Sequence, residues 1–215
     1  MPYRRTENVR RKLAARHDAI LTAARALASE GGIAAVQIAP VAERAGIAAG
    51  TVYRYFPSKT ELVAELVASL AQAEIVALSK AADAAPGPMS ALAAAVATFG
   101  ARALAERRLA FALIAEPVGP DVDDARVKYR KALAGAFEGR IRTAVTAGHL
   151  PDQDPAASAP ALVGALIEGL IGPLAPRGGN ERAAVQALTL FALRALGVVD
   201  ARARGLVVQT QIAAR

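Results

Sequence analysis

The chain has 215 residues, no cysteine and only two histidines, which excludes disulfides, thiolate chemistry and cysteine zinc sites and leaves too few histidines for a metal motif. Its 54% hydrophobic content includes 55 alanines and only nine phenylalanines plus tyrosines, a balance that favours helices over a β-rich fold. The net charge of +7 sits at one end: residues 1–60 hold ten basic and four acidic residues, whereas residues 61–215 hold 16 and 15. A basic end on a nearly neutral body is the electrostatic footprint of a nucleic-acid-binding module with a second function behind it.

In chain order, Leu13, Ile20, Ala24, Leu27 and Ala28 recur at helical spacing and predict a helix over 11–29, stopped by Gly31-Gly32. Short helices fit 38–45, with Pro40 tolerated in its first turn, and 49–56, ended by Pro57. Ser58-Lys59-Thr60-Glu61 reads as a capping box opening a fourth helix of about 24 residues, with Leu62, Leu66 and Leu70 on one strip. Pro86-Gly87-Pro88 ends it. Further helices are expected over 89–108, with a turn of helix to 115, and over about 121–147, capped by Asp121. The last strong ones fall over about 155–174 and 180–196, before a helix fragment plus tail over 198–215. Nine or ten helices in all make the expected fold all-α. The apolar stretch 155–176 is marginal as a membrane span and reads as a helix buried in a core or dimer interface. Residues 1–17 carry charge with no apolar run behind it, so the expectation is a cytoplasmic protein without a membrane partner.

Function concentrates in Gln37–Lys59, QIAPVAERAGIAAGTVYRYFPSK. Two short helices separated by Gly46-Ile47-Ala48 form a helix-turn-helix signature over 37–56, whose second helix would enter a major groove. The run AGIAAGTVYRYFPSK at 45–59 resembles the tetracycline-repressor (TetR) family of bacterial transcriptional regulators. The close likeness covers 13–70, and the rest is similar only in length, helix count and the apolar character of its last two strong helices.

That resemblance implies a DNA-binding head over 1–60, a fourth helix from 58 linking the parts, and an effector-binding and dimerisation body over 61–215. It makes Tyr53 a phosphate contact, and Lys59 a backbone or base contact at the start of the fourth helix. Thr51 and Gln37 would hold phosphates, and Tyr55 would reach a base or sugar. Ala48, Ala49 and Gly50 stand where bases are read, and their small side chains suit thymine methyls more than polar edges. Arg44 and Arg54 add basic contacts, and Arg4, Arg5, Arg10 and Arg11 form an N-terminal arm. Gln37 stands where a capping Thr is usual and Ala39 where a polar contact is frequent, so the operator sequence stays open.

For the body, the resemblance implies a homodimer through helices around 155–174 and 180–197, and a small-molecule effector whose binding releases a double-stranded operator. Polar or bulky groups within apolar helices mark the candidate pocket: Phe99, Arg102, Phe111, Glu116, Tyr129, Phe137 and Glu168. The scarcity of aromatic residues favours an aliphatic ligand. No phosphate loop, nucleophile elbow, metal triad or thiol occurs, which predicts a chain that is neither an enzyme nor a cofactor carrier. Competing readings are a regulator of the same fold controlled by a protein partner or by no ligand, and a nonspecific architectural DNA binder. The neutral charge of 61–215 counts against the last.

Overall fold

A computed structural model describes residues 3–174 and 180–210, with the side chains of residues 3–6 and of Asp121 outside the description. Among the described residues there are ten helices, one short 3₁₀ turn and no strand. Helix α1 spans Tyr3–Gly31, followed by the 3₁₀ turn Ile33–Ala35, α2 Ile38–Arg44 and α3 Ala49–Tyr55. The long α4 runs Lys59–Asp83, then α5 Pro88–Ala105, α6 Arg107–Ile114 and α7 Pro120–Thr146. Helices α8 Pro155–Leu174, α9 Glu181–Ala195 and α10 Asp200–Gln209 follow.

The amino-terminal unit packs α1, α2 and α3 about Ile20, Ala24, Val41, Val52 and Phe56, all buried. Behind it, α4 lies against α5 and α7, α7 against α8, and α5 against α9. Phe137, Leu133, Leu92 and Leu166 are fully buried at the centre of that body. Helices α4, α5 and α8 are long and apolar enough to cross a bilayer by length and composition alone, where 155–176 had been the one stretch expected to come near it. In the fold each buries one face on its neighbours.

Capping explains where several helices start. The Ser58 hydroxyl accepts from the Glu61 amide at 3.1 Å, but the Glu61 carboxylate meets Ser58 Oγ at 3.4 Å and not the Ser58 amide, so only half the expected capping box forms. Asn180 Oδ1 accepts from the Ala183 amide, and Asp154 Oδ1 from the Ala156 amide, each supplying an acceptor to a first-turn amide.

Other boundaries differ from expectation. The first helix begins at Tyr3, eight residues early, and its first half projects from the core with Leu13 half-exposed at 49%. The helix expected over 89–108 ends at Ala105, and α6 is a separate element. Helix α7 starts at Pro120 behind a Gly119 cap, since proline suits a first-turn position, and Asp121 lies inside it. The helix fragment expected after residue 198 is α10, held by an Asp200 carboxylate that meets both Arg194 and Arg204. Residues 211–215 and 175–179 lie outside the described residues.

Candidate nucleic-acid interface and effector cavity

The turn between α2 and α3 is set by backbone hydrogen bonding. The Gly46 amide donates to the Glu43 carbonyl at 3.1 Å and the Ile47 amide to the Ala42 carbonyl at 3.0 Å, closing α2 in a Schellman motif. Gly46 sits at φ 66°, in the left-handed region where a side chain would be strained. Val52 and Phe56 anchor α3 inward, and helical spacing turns Gly50, Tyr53 and Arg54 to solvent. Ala48 is exposed at the N-cap, while Ala49 and Thr51 are half-buried in the first turn. Tyr53 is 52% exposed. Tyr55 is half-buried beside His17, and the His17 ring stacks at 5.1 Å on Phe56, so α1 steadies the end of α3.

Three of the expected contact residues are engaged within the protein, one of them Arg11, which donates to Asn8 Oδ1 on α1 at 2.8 Å. Arg44 reaches back to α1 and binds both oxygens of Glu30, at 2.5 and 2.9 Å. Hydrogen bonding from Arg44 holds the Glu30 carboxyl below the usual carboxylate range. Gln37 occupies the N-cap of α2 without capping it, since its Nε2 donates to the Ala34 carbonyl at 3.0 Å. Lys59 begins α4, half-buried. Arg10 and Arg11 are exposed on α1, so that part of the expected arm is helix and not a free strand of chain. The Arg4 and Arg5 side chains lie outside the described residues.

Three of the seven expected pocket residues come together. Phe99, Arg102 and Tyr129 line a cavity of about 40 Å³ with Leu70, Leu109 and Leu170. Its polar rim is a pair of ion pairs: Arg102 binds Glu74 through Nε and Nη2 at 2.7–3.1 Å, and Arg25 binds Glu106 at 2.6 and 2.8 Å. Donating these hydrogen bonds to Glu74 raises the Arg102 pKa further. Tyr129 is 3% exposed, and its hydroxyl has no hydrogen-bond partner. Burial pushes that phenol well up from its ordinary pKa.

The other four lie elsewhere. Phe137 is core, and Phe111 packs against the core outside the cavity. Glu168 is exposed on α8, in a groove with Arg130 and Lys131 of α7. Glu116 belongs to the junction between the two parts of the fold: the amides of Ile33 and Ala34 donate to its carboxylate at 3.1 and 3.3 Å. Beside it, Arg108 donates to the Gly31 carbonyl at 2.9 Å, closing the end of α1. Glu74, Glu106 and Arg25 were missed, because pairs 28 and 81 residues apart leave no local signal.

The inner face of α6 thus walls the cavity with Leu109 and Leu113, while Glu106, Arg108 and Glu116 at its ends grip α1 and the 3₁₀ turn. Arg126, buried in α7, donates to the Ala112 carbonyl near the α6 C-terminus at 2.5 Å. Burial lowers its pKa, with Asp123 at 3.5 Å opposing that.

The architecture is an all-helical body carrying a helix-turn-helix head. Residues 20–66 match the family model for bacterial regulatory proteins of the tetR family, so the head is similar to the DNA-binding head of those regulators. Over 53 residues the chain is 57% identical to the HTH-type transcriptional repressor KstR of Rhodococcus jostii, covering 25% of each protein. It is 58% identical over 48 residues to KstR of Mycolicibacterium smegmatis, covering 22% of this chain and 24% of that one. The stretch shared with these repressors spans about a quarter of their length. The whole fold is similar to that of RolR (NCGL1110) in complex with resorcinol, with TM-score 0.72 and 21% identity over 94% of this chain and 99% of that one. FadR from Bacillus subtilis, in complex with stearoyl-CoA, gives TM-score 0.71 and 18% identity over 84% and 98%. At that identity these two show the fold.

Proposed function

We propose that this chain is a ligand-responsive DNA-binding transcriptional regulator, a repressor that holds a palindromic operator as a homodimer and is released by a small-molecule inducer. One observation carries the reading: α6 is at once a wall of the body's cavity and the clasp on the head. A molecule entering the cavity must move that wall, because about 40 Å³ is far below the roughly 150 Å³ that accommodates benzene. Moving the wall disturbs the contacts that orient α1 and the turn before α2. The two reading helices of a dimer must stand about 34–36 Å apart to meet successive major grooves. A small tilt of each head about the 25-residue α4, roughly 37 Å long, therefore lowers operator affinity. Linkage then requires that operator lower inducer affinity by the same factor.

In this reading Tyr53, Thr51 and Lys59 hold phosphates, Ala48, Ala49 and Gly50 face bases, and Tyr55 reaches a base or sugar. Arg54 adds a basic contact beside them, and Arg10 and Arg11 add phosphate contacts from α1. Arg44 and Gln37 act first as internal braces, because their side chains are already engaged. The exposed faces of α8 and α9 form the dimer interface. KstR and FadR, named above, are transcriptional regulators, and a cytoplasmic regulator without catalytic activity fits them.

The test is selection of bound sequences from random double-stranded DNA, followed by footprinting and a screen for small molecules that release the selected site. A protected palindrome lost on Tyr53→Ala or Lys59→Ala supports the reading. A purified chain that stays monomeric, or binding indifferent to both substitutions, overturns it. The small cavity favours one second reading, a regulator of the same fold that answers to a protein partner or to no ligand. Ligand-independent unfolding temperatures across the screen would select that one.

A further inference from the structure

Resting on the reading of this cavity as the effector site, we propose that it selects an uncharged, largely apolar molecule presenting one hydroxyl or carbonyl oxygen to the Tyr129 hydroxyl. Buried hydroxyls almost always find a partner, and one that does not calls for an explanation. Tyr129 is 3% exposed, lines the cavity, and has no partner for its oxygen. Burial keeps the phenol protonated, so it can donate to a ligand oxygen.

The charges of the cavity are already spent on one another. Two guanidiniums, Arg25 and Arg102, face two carboxylates, Glu106 and Glu74, each pair joined by hydrogen bonds of 3.1 Å or less. A ligand carboxylate would have to take a guanidinium from its partner and leave a carboxylate unpaired, and an ammonium would do the reverse. Glu74, 21% exposed, is the more enclosed of the two carboxylates, and a charge left unpaired there is costlier than a neutral oxygen that meets a waiting donor. The remaining wall, from Leu70, Phe99, Leu109, Leu113 and Leu170, offers only apolar contact. The selected class is therefore a hydrocarbon skeleton bearing a neutral oxygen, with ions of either sign disfavoured.

The experiment compares five probes with one ring: cyclohexanol, cyclohexanone, cyclohexane, cyclohexanecarboxylate and cyclohexylammonium. Each is titrated by ligand-observed NMR into the full chain without DNA, in wild type and in Tyr129→Phe. The alcohol and the ketone are expected to bind about tenfold more tightly than cyclohexane and than either ion, the size of one net neutral hydrogen bond. In Tyr129→Phe that advantage over cyclohexane disappears while cyclohexane itself binds as before. The wild-type Tyr129 Cζ resonance provides a second readout, shifting with cyclohexanone and not with cyclohexane, which keeps the test independent of the variant's folding. Tighter binding of an ion, an unchanged preference in Tyr129→Phe, or no binding by the oxygenated pair at millimolar concentration overturns the proposal. Because no operator is present, the outcome is separable from the regulatory reading. Probes that bind as expected and never release DNA count against the switch alone. An anionic inducer acting through this cavity would leave the switch standing and overturn the ligand class.

Discussion

The carboxylate of Glu116 fills the space in which a β-carbon on Gly32 would stand: that atom would lie 2.3 Å from Glu116 Oε2 and 2.4 Å from Arg108 Nη2. Gly32 also holds φ 75°, so the backbone conformation favours glycine there, and a side chain would have to displace the ends of Glu116 and Arg108. Gly32→Ala is expected to cost about 1–2 kcal/mol for the left-handed backbone, and more for displacing the clasp. Glu116→Ala leaves the Ile33 and Ala34 amides without their acceptor, at about 1–3 kcal/mol. Both substitutions disrupt the same clasp, so the double variant should lose clearly less than the two losses combined. Denaturant unfolding of the four proteins measures this, and strict additivity would show that Gly32 and Glu116 act independently.

Acid should loosen the head through Glu30. Hydrogen bonding from Arg44 depresses the Glu30 pKa in the folded chain below its ordinary 4.5. A depressed carboxylate stabilises the fold above its unfolded pKa, and that contribution is lost as pH falls through the folded value. The advantage of wild type over Glu30→Gln should therefore be full at neutral pH, begin to shrink near pH 4.5, and vanish in stronger acid. The pair is exposed, so raised salt should narrow the gap at neutral pH as well. Melting temperatures of both proteins between pH 3 and 7 follow it, and parallel curves across that range would refute it.

The head was legible because its signals are local. Glycine at 46, proline at 57 and serine at 58 act within a few residues, and the structure places α2, α3 and the start of α4 within a residue or two of expectation. The extent of α1 was not legible, because its first half is a polar helix without a buried face, and periodicity is silent where nothing is buried. The cavity was half legible. Tyr129, Phe99 and Arg102 stood out as odd residues in apolar helices, but so did Glu168 and Phe137, which face solvent and core respectively. What separates the two sets is the packing of α4, α5, α6 and α7 around one point, a long-range relationship absent from any window of sequence. Glu116 shows the limit best: a glutamate before a proline reads as loop, and only the fold brings it beneath Ile33, 83 residues away.

Tyr53 and Lys59 should contribute to affinity through phosphate charge and hydrogen bonding, not through base identity. Tyr53 is exposed beyond the buried Val52, and Lys59 opens α4 beside the same surface. Lys59→Ala should weaken every operator sequence alike and reduce the slope of log affinity against log salt by about 0.9 for each phosphate left without its lysine. With two subunits bound, the dimer slope falls by about twice that. Tyr53→Phe should lower affinity while leaving the slope nearly unchanged, because it removes a neutral donor. Titrations between 50 and 200 mM salt, about the range in which such slopes are read, decide this. A Lys59→Ala slope equal to wild type would remove Lys59 from the interface.

The self-association surface should depend on Phe191. On α9, Ala192 and Leu193 are buried against the body, whereas Phe191 is 52% exposed, with Ala187 exposed one turn before it. On α8 the outward positions Ala161, Gly164 and Gly172 are small, which lets another helix approach closely. Small outward residues on either side of the exposed Glu168, with one large aromatic on α9, suit a two-fold contact in which each copy lends the other its ring. Phe191→Glu places a charge at that contact and should weaken association by about 30-fold or more, the usual penalty at an aromatic anchor. Val76 is equally exposed, at 54%, but lies on α4, and Val76→Glu serves as the control that should leave association unchanged. Sedimentation equilibrium of the two variants separates the cases. The Phe191→Glu monomer should keep its helical content yet lose most of its hold on a palindromic site, because one head then binds without the other. If Phe191→Glu remains as dimeric as wild type, the α8–α9 face is not where two copies meet.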